Sequence, residues 1–421
     1  MSKLMMSTHS SSLRPLMGAL AVLLLAACAA APPSGTKNRS RPELVSLKML
    51  DPPSGPGALA PNLELHSDGT ALTWLEPTEN GHSLRLAKFQ GEAWGPPETI
   101  ASGGGFFANW ADLPQAVETS DGTLFAHWLD KLGEDTYAYG VQLARSGDGG
   151  TTWQELGWLH DDASPTEHGF VSYAALPEGE VQAFWLDGRA MPAGGGMHLR
   201  TTRLAGDGPG ASELLDDRVC ECCATDAALA AGGPVVAYRD RSDSEIRDIA
   251  VVHATADGWS EPTLIHDDGW EIYGCPVNGP AIAADGKHIA VAWFTAAEGQ
   301  AKVQVAHSAD GGETFGAPVL VDDGQPLGRV DVAMARDGRA VVSWLGSSES
   351  GAEIRWRPVS TEGKAGPVRI VSSTTTSRTA GVPRMVRRGD DLLFVWVEDG
   401  EVPRLRAGLL ALDGNSIEGE S

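Results

Sequence analysis

The stretch from Pro280 to Val321 reads PAIAADGKHIAVAWFTAAEGQAKVQVAHSADGGETFGAPVLV. It holds four short apolar or alternating runs, AIA, HIAVAWF, KVQVAHS and APVLV. Ala284-Asp285-Gly286, Ala296 to Gln300 and Asp310-Gly311-Gly312 separate them. Asp-Gly between alternating apolar runs signals a tight hairpin, because glycine reaches positive φ without steric cost. Four antiparallel strands in about forty residues is the size of one propeller blade.

The same unit recurs along the chain. A tight turn leads into an apolar strand carrying Trp or Tyr at positions 74, 128, 185, 238, 293, 344 and 396, spaced 54, 57, 53, 55, 51 and 52 residues apart. Self-similarity at that period, without a long helical pattern, predicts an all-β propeller of four-stranded blades. A lone four-stranded sheet cannot bury both faces, whereas stacking around a ring does so and leaves few open edges. Seven blades is the expected count; six is the alternative if the first or last repeat is decoration. The last repeat shows only three strands. The alternating segment Glu43 to Leu50 is expected to supply its outer strand and close the ring.

Composition bounds the function. The 421 residues carry a formal charge of −24. No basic stripe exists to neutralise phosphates, which argues against nucleic acid. Lys3 and Arg14 precede an apolar run, Leu16 to Leu25, that is too short to span a bilayer. It ends in Leu25-Ala26-Ala27-Cys28, which resembles a bacterial lipobox; an ordinary signal peptide with a chance cysteine is the alternative. The resemblance implies a leader over 1–27, acylation of Cys28 and an envelope location. Ala29 after the cysteine favours the outer membrane, so the membrane would be met through the lipid anchor alone. Residues 28–42, small and rich in proline, read as a tether, 43–413 as one propeller domain and 414–421 as a disordered tail. A monomer without a cofactor is expected.

Two turns between third and fourth strands share Ser-x-Asp-x-Gly-x-Thr-aromatic: Ser146, Asp148, Gly150 and Trp153, then Ser308, Asp310, Gly312 and Phe315. The aspartate is suited to cap its own turn's amides, and the aromatic to plug between sheets. This pattern resembles the Asp box (BNR repeat) of the sialidase superfamily, with Ala256-Asp257-Gly258-Trp259 as a degenerate copy. The resemblance implies a glycoside hydrolase that grips an acidic sugar with three arginines. It would use a Glu-activated Tyr as nucleophile and an Asp as acid/base. Tyr273, Glu271 and Asp226 are the candidates for those roles. The chain departs from the pattern at its start: it lacks the family's early Arg-Ile-Pro type motif, and Arg41-Pro42 falls in the tether.

In a blade built from successive hairpins, the loops from strand 2 to 3 and from strand 4 to the next blade share one face around the channel mouth. That face is expected to gather Asp112, His168, Asp187, Arg189, Asp226, Arg239, Asp240, Arg241, Asn278, Arg329, Asp331 and Arg378 into a polar site for a glycan or an envelope protein. The mature cysteines Cys220, Cys222, Cys223 and Cys275 precede the first strands of two neighbouring repeats. Two disulfides are expected in an oxidising compartment, Cys275 pairing with Cys222 or Cys223 and the other two forming a short-loop or vicinal bridge. A soft-metal thiolate site on the same four residues and redox chemistry are the alternatives.

Overall fold

The computed structural model describes residues 41–206 and 208–412, so the leader, Cys28 with most of the tether, and the tail lie outside the described residues. Seven sheets follow one another along the chain. The blades span residues 59–103, 115–158, 168–219, 226–264, 281–320, 326–374 and 384–411, and are numbered 1 to 7 in that order. Each runs by antiparallel hairpins from an innermost first strand outward. Seven is therefore the count, and the six-blade alternative falls.

Seven separate hydrophobic cores explain why the blades form a ring. Each joins one adjacent pair, and the core of Leu63, Trp74, Phe89, Leu393 and Val395 joins blade 7 to blade 1. The periodic aromatic lies on the second strand of every blade and faces the preceding blade. Trp128 sits in the core of blades 1 and 2, Trp293 in that of 4 and 5, and Trp396 in that of 6 and 7. These rings are at most 4% exposed. The 51-to-57-residue repeat is thus the repeat of an interface. Each such ring contributes roughly 1.5–3 kcal/mol by leaving water.

Closure differs from the expectation in one respect. Lys48–Met49 pairs antiparallel with the third strand of blade 7, as expected, but Glu43–Leu44 pairs parallel with the last strand of blade 6. The residues between them turn the chain across both edges. Val45 and Leu47 pack on the core of blades 6 and 7, while Leu50 packs on that of blades 7 and 1. Gly408 is required at this crossing, since a Cβ there would collide with Leu47.

The two Ser-x-Asp-x-Gly-x-Thr turns have matching bonds. Asp148 Oδ1 accepts from Thr152 N at 2.9 Å and from Ser146 Oγ at 2.8 Å, and Gly150 N donates to Ser146 Oγ at 2.9 Å. Asp310, Thr314, Ser308 and Gly312 repeat this. Both glycines sit at φ 97. Trp153 packs on the core of blades 1 and 2, and Phe315 on that of blades 4 and 5. These turns hold blades together on the face away from the mouth. Ser146→Ala and Ser308→Ala are each expected to cost about 1 kcal/mol by stranding a buried glycine amide, and to add in the double variant. Urea titration checks both statements.

Candidate functional site

One cavity, about 70 Å³ in volume, lies at the channel mouth and is lined from all seven blades. Asn62 comes from blade 1, Asp112 and Gln115 from the approach to and start of blade 2, and Ser172 from blade 3. Thr225 and Asp226 come from blade 4, Asn278 from the loop into blade 5, Arg329 from blade 6 and Arg384 from blade 7. The prediction that the loops leading into the first strands share one rim therefore holds. Three of the seven described non-glycine residues with positive φ line this cavity: Phe170 (φ 55), Val277 (φ 49) and Arg329 (φ 53). A β-branched residue there is a genuine outlier, and such strain gathers where a fold over-determines a site. A wider basin of about 450 Å³ is lined by Leu65, His66, Arg336, Arg387 and Arg388 near the first-to-second-strand turns.

The acids at the mouth first serve the ring. Asp112 Oδ2 accepts from Phe170 N at 2.7 Å, Asp226 Oδ2 from Ile282 N at 2.9 Å, and Asp331 Oδ2 from Met385 N at 2.6 Å. In each case the carboxylate belongs to one blade, or its leading loop, and the amide to the next. Arg384 stands among them. Its Nε donates to Asn62 Oδ1 at 3.1 Å and lies 3.6 Å from Asp331 Oδ2. Glu64 accepts from the Gln115 amide across blades 1 and 2. Burial pushes Glu64 and Asp112 up to about 7 and Asp226 to about 6, against the pull of their hydrogen bonds and, for Glu64 and Asp226, of Arg384. Asp331 is raised for the same reason. Burial also works against the Arg384 charge, but Asp331, Asp226 and Glu64 outweigh it and raise its pKa.

Other predicted residues are corrected by their partners. Arg239 is 1% exposed and donates to the carbonyls of Asn278, Arg247 and Phe294 at 2.6–3.0 Å, with Trp270 beneath it. It is a buried fastener. Arg329 spends Nη1 on the Ser377 and Gly381 carbonyls and stacks on Trp110. Arg189 forks onto Asp187, and Arg241 onto Glu245. His168 is fully buried, stacked on His160 at 4.0 Å and 3.2 Å from Asp187. Asp240 is half-buried, and neither it nor His168, Asp187, Arg189, Arg239 or Arg241 lines the cavity. Asp331 stands behind Arg384, and Arg378 is exposed on the rim. Of the twelve predicted ligand contacts, Asp112, Asp226, Asn278 and Arg329 line the cavity.

The nucleophile pair is also displaced. Tyr273 is 79% exposed and Glu271 is exposed, both on the loop leading into blade 5 and outside the cavity. The hydrogen bond to Glu271 raises the tyrosine pKa, which disfavours the phenolate that attack requires. Three arginines, Arg218, Arg241 and Arg247, converge on the Glu245 carboxylate, whose segment pairs with this loop through Ile246 and Glu271, so the cluster beside the pair is already filled by a carboxylate of the chain itself. The residues missed from sequence are Glu64, Gln115 and Ser172. Their signal was position: polar residues on innermost strands, where alternate side chains face the channel axis.

Of the two disulfides expected, the structure holds one, and the second pair stays reduced. Cys222 and Cys275 form a disulfide with Cα atoms 5.9 Å apart, joining the loops leading into blades 4 and 5. Gly279 allows these loops to touch, because a Cβ there would strike the Ala224 carbonyl. Cys220 and Cys223 are buried thiols with sulfurs 2.9 Å apart, so the short-loop pairing is favoured over a vicinal one. A four-thiolate metal set is not available while Cys222 and Cys275 are bonded to each other. Burial opposes ionisation of Cys220, yet the Cys223 thiol, the Cys222 amide, Arg239 and Arg247 bring it down to about 6, while burial pushes Cys223 up.

No family model matches the sequence, and no curated protein matches it either. Solved structures match by shape. The polysaccharide lyase Uly1 superposes with a TM-score of 0.53 at 8% identity, over 84% of this chain and 90% of its own. A GH93 α-L-arabinofuranosidase of Fusarium graminearum does so at 0.47 and 16% identity, over 71% and 92%. Trypanosoma rangeli sialidase does so at 0.45 and 10%, over 75% of this chain and 56% of that one. The likeness is one of fold.

Proposed function

We propose that this chain is an envelope lipoprotein, anchored through Cys28, whose propeller binds a glycan across the rim of the channel mouth. Membership of the two serine–aspartate turns in the Asp-box class is part of the same proposal. The size of the mouth carries the reading. A cavity of about 70 Å³ falls below the roughly 300–1,000 Å³ of pockets that enclose a small ligand, so a whole terminal sugar ring has no recess to enter. A ligand must lie over the opening and send only a small polar group inward. Loops of the same face carry Tyr273 and Tyr137, 79% and 64% exposed. Exposed aromatic rings with a polar tip suit stacking against sugar faces. The likeness in shape to a polysaccharide lyase supports the glycan over the protein alternative as ligand.

Titration of the purified chain with acidic and neutral oligosaccharides tests this. Saturable binding is expected, with Tyr273→Ala and Tyr137→Ala each weakening it about tenfold, or ~1.4 kcal/mol, at unchanged melting temperature. Binding insensitive to both substitutions, or no glycan bound, would remove the proposal.

A second reading has one observation in its favour. Asp112 and Asp226, held at about 7 and 6 in the wall of one cavity, are poised for proton transfer near neutral pH, as a glycoside-cleaving enzyme requires. Against its sialidase form stands the pairing of Arg218, Arg241 and Arg247 with Glu245, which spends their charge inside the protein. A fluorogenic sialoside is expected to remain intact.

A further inference from the structure

The four cysteines beyond Cys28 are sorted by depth as well as by pairing. Cys220 and Cys223 are 1% and 0% exposed, whereas Cys275 is exposed and Cys222 half-buried at the cavity wall. The sulfurs of Cys220, Cys222 and Cys223 nevertheless lie within 4.8 Å of one another. A buried dithiol and a surface disulfide therefore share one sulfur cluster, and a reagent in solvent meets only the surface member. Arg247 Nη1 stands 3.4 Å from Cys220 Sγ, and Glu221 and Glu245 hold that guanidinium in place. A fixed cation beside a sulfur favours its thiolate, the form that attacks disulfides.

We propose that these four residues form an intramolecular two-electron relay between the buried Cys220/Cys223 pair and the surface Cys222–Cys275 pair, coupled at Cys275 to an external dithiol or disulfide. The Cys220 thiolate attacks Cys222 Sγ; a Cys220–Cys222 bond forms, the Cys222–Cys275 bond breaks, and Cys275 leaves as a thiolate that takes up a proton. Cys223 then gives up its proton and attacks Cys220 Sγ. The Cys220–Cys223 bond forms and Cys222 leaves as a thiolate, which is protonated. The buried dithiol has been oxidised and the surface disulfide reduced by the same two electrons. The oxidant is the chain's own disulfide. An external disulfide then reoxidises the surface pair, or an external dithiol drives the sequence backward.

The exchange joins redox state to the mouth. Cys222, Val277 and Asn278 line the cavity, and Asn278 O receives two of the Arg239 bonds. Opening the Cys222–Cys275 bridge unties the loop into blade 4, which carries Cys222, from the loop into blade 5, which carries Val277 and Asn278. The proposal is independent of the glycan reading.

The test uses the full chain. Fully oxidised protein receives one equivalent of dithiothreitol, and fully reduced protein one equivalent of oxidised glutathione. Both are acid-quenched, alkylated in denaturant and peptide-mapped. The relay requires Cys220–Cys223 and Cys222–Cys275 linked peptides in the same ratio from either start. A single linkage at all times, or a ratio that depends on history, overturns it. In a second arm, dithiothreitol should reduce the buried pair at least about tenfold more slowly in Cys222→Ser/Cys275→Ser than in the unsubstituted chain, because the neighbouring thiol is lost as an intramolecular reductant. Equal rates overturn it. If the double variant does not fold, the two-way mapping still decides.

Discussion

Arg384→Met is expected to destabilise the propeller by about 1–3 kcal/mol at neutral pH, the usual cost of leaving acceptors without their donor at a half-buried wall. The reason is position. Arg384 is the cation among Asp331, Asp226 and Glu64, and Asn62 fixes its Nε. Removing it leaves buried carboxylates whose remaining support is the amides of the next blade and the Gln115 side chain. The sign of the pH dependence follows. Glu64, Asp112 and Asp226 have native pKa values of about 7, 7 and 6, above their ordinary range. The native chain therefore holds protons between about pH 4 and 7 that the unfolded chain has released. Their contribution is fully present below the unfolded value and is lost as pH rises through the native one. On acidification from about pH 8 to 5 these acids should thus add stability, opposed in part by His127 and His160, which burial lowers to about 3 and 4 so that the unfolded chain takes up those protons first. Near pH 2 the trend reverses, as Asp148, Asp310 and Glu245, held at about 2 by their hydrogen bonds, become protonated. In Arg384→Met the deficit should be larger at about pH 8 than at pH 5, because protonation relieves the uncompensated acids. Urea titrations at the two pH values measure it; an equal deficit at both would show that Arg384 acts by packing alone.

The second large effect concerns Arg239. From sequence this arginine was a candidate sugar contact, and its loss would then weaken binding in a folded protein. The structure makes the opposite forecast. Its fork connects three carbonyls on three segments, Arg247, Asn278 and Phe294, without solvent to replace it. Arg239→Ala strands those carbonyls at about 1–3 kcal/mol each, so it should unfold much of the population or lower the melting temperature by well over 5 °C. Arg239→Lys should recover little, because an ammonium cannot reproduce a planar fork. Circular dichroism melts of both variants decide between a fastener and a ligand contact.

The ring was legible because its physics is local. Asp-Gly turns, alternating strands and one large aromatic per repeat are each dictated within a few residues, and Trp74 to Trp396 mark the seven interfaces in order. The loop face was legible for the same reason, since hairpin connectivity alone assigns each loop to an end. Which polar residues stay available was not legible. Arg189 and Asp187 are two residues apart and satisfy each other, whereas Arg329 finds its carbonyls at Ser377 and Gly381, about fifty residues away. Nothing in the identity of an arginine says whether its donors are already spent. The closing segment shows the same limit. The alternation of 43–50 predicts a strand, but the division between blades 6 and 7 depends on where two distant edges end.

We propose that the mouth holds a glycan over its blade-clamping floor without cleaving it. Prolonged incubation of the purified chain with the oligosaccharide it binds most tightly, at about pH 6, tests this most directly. New reducing ends and unsaturated ends are followed together. Saturable binding with neither product is the expected result. Either product, formed by the unsubstituted chain and lost in Asp226→Asn, would contradict it and make those carboxylates an active site.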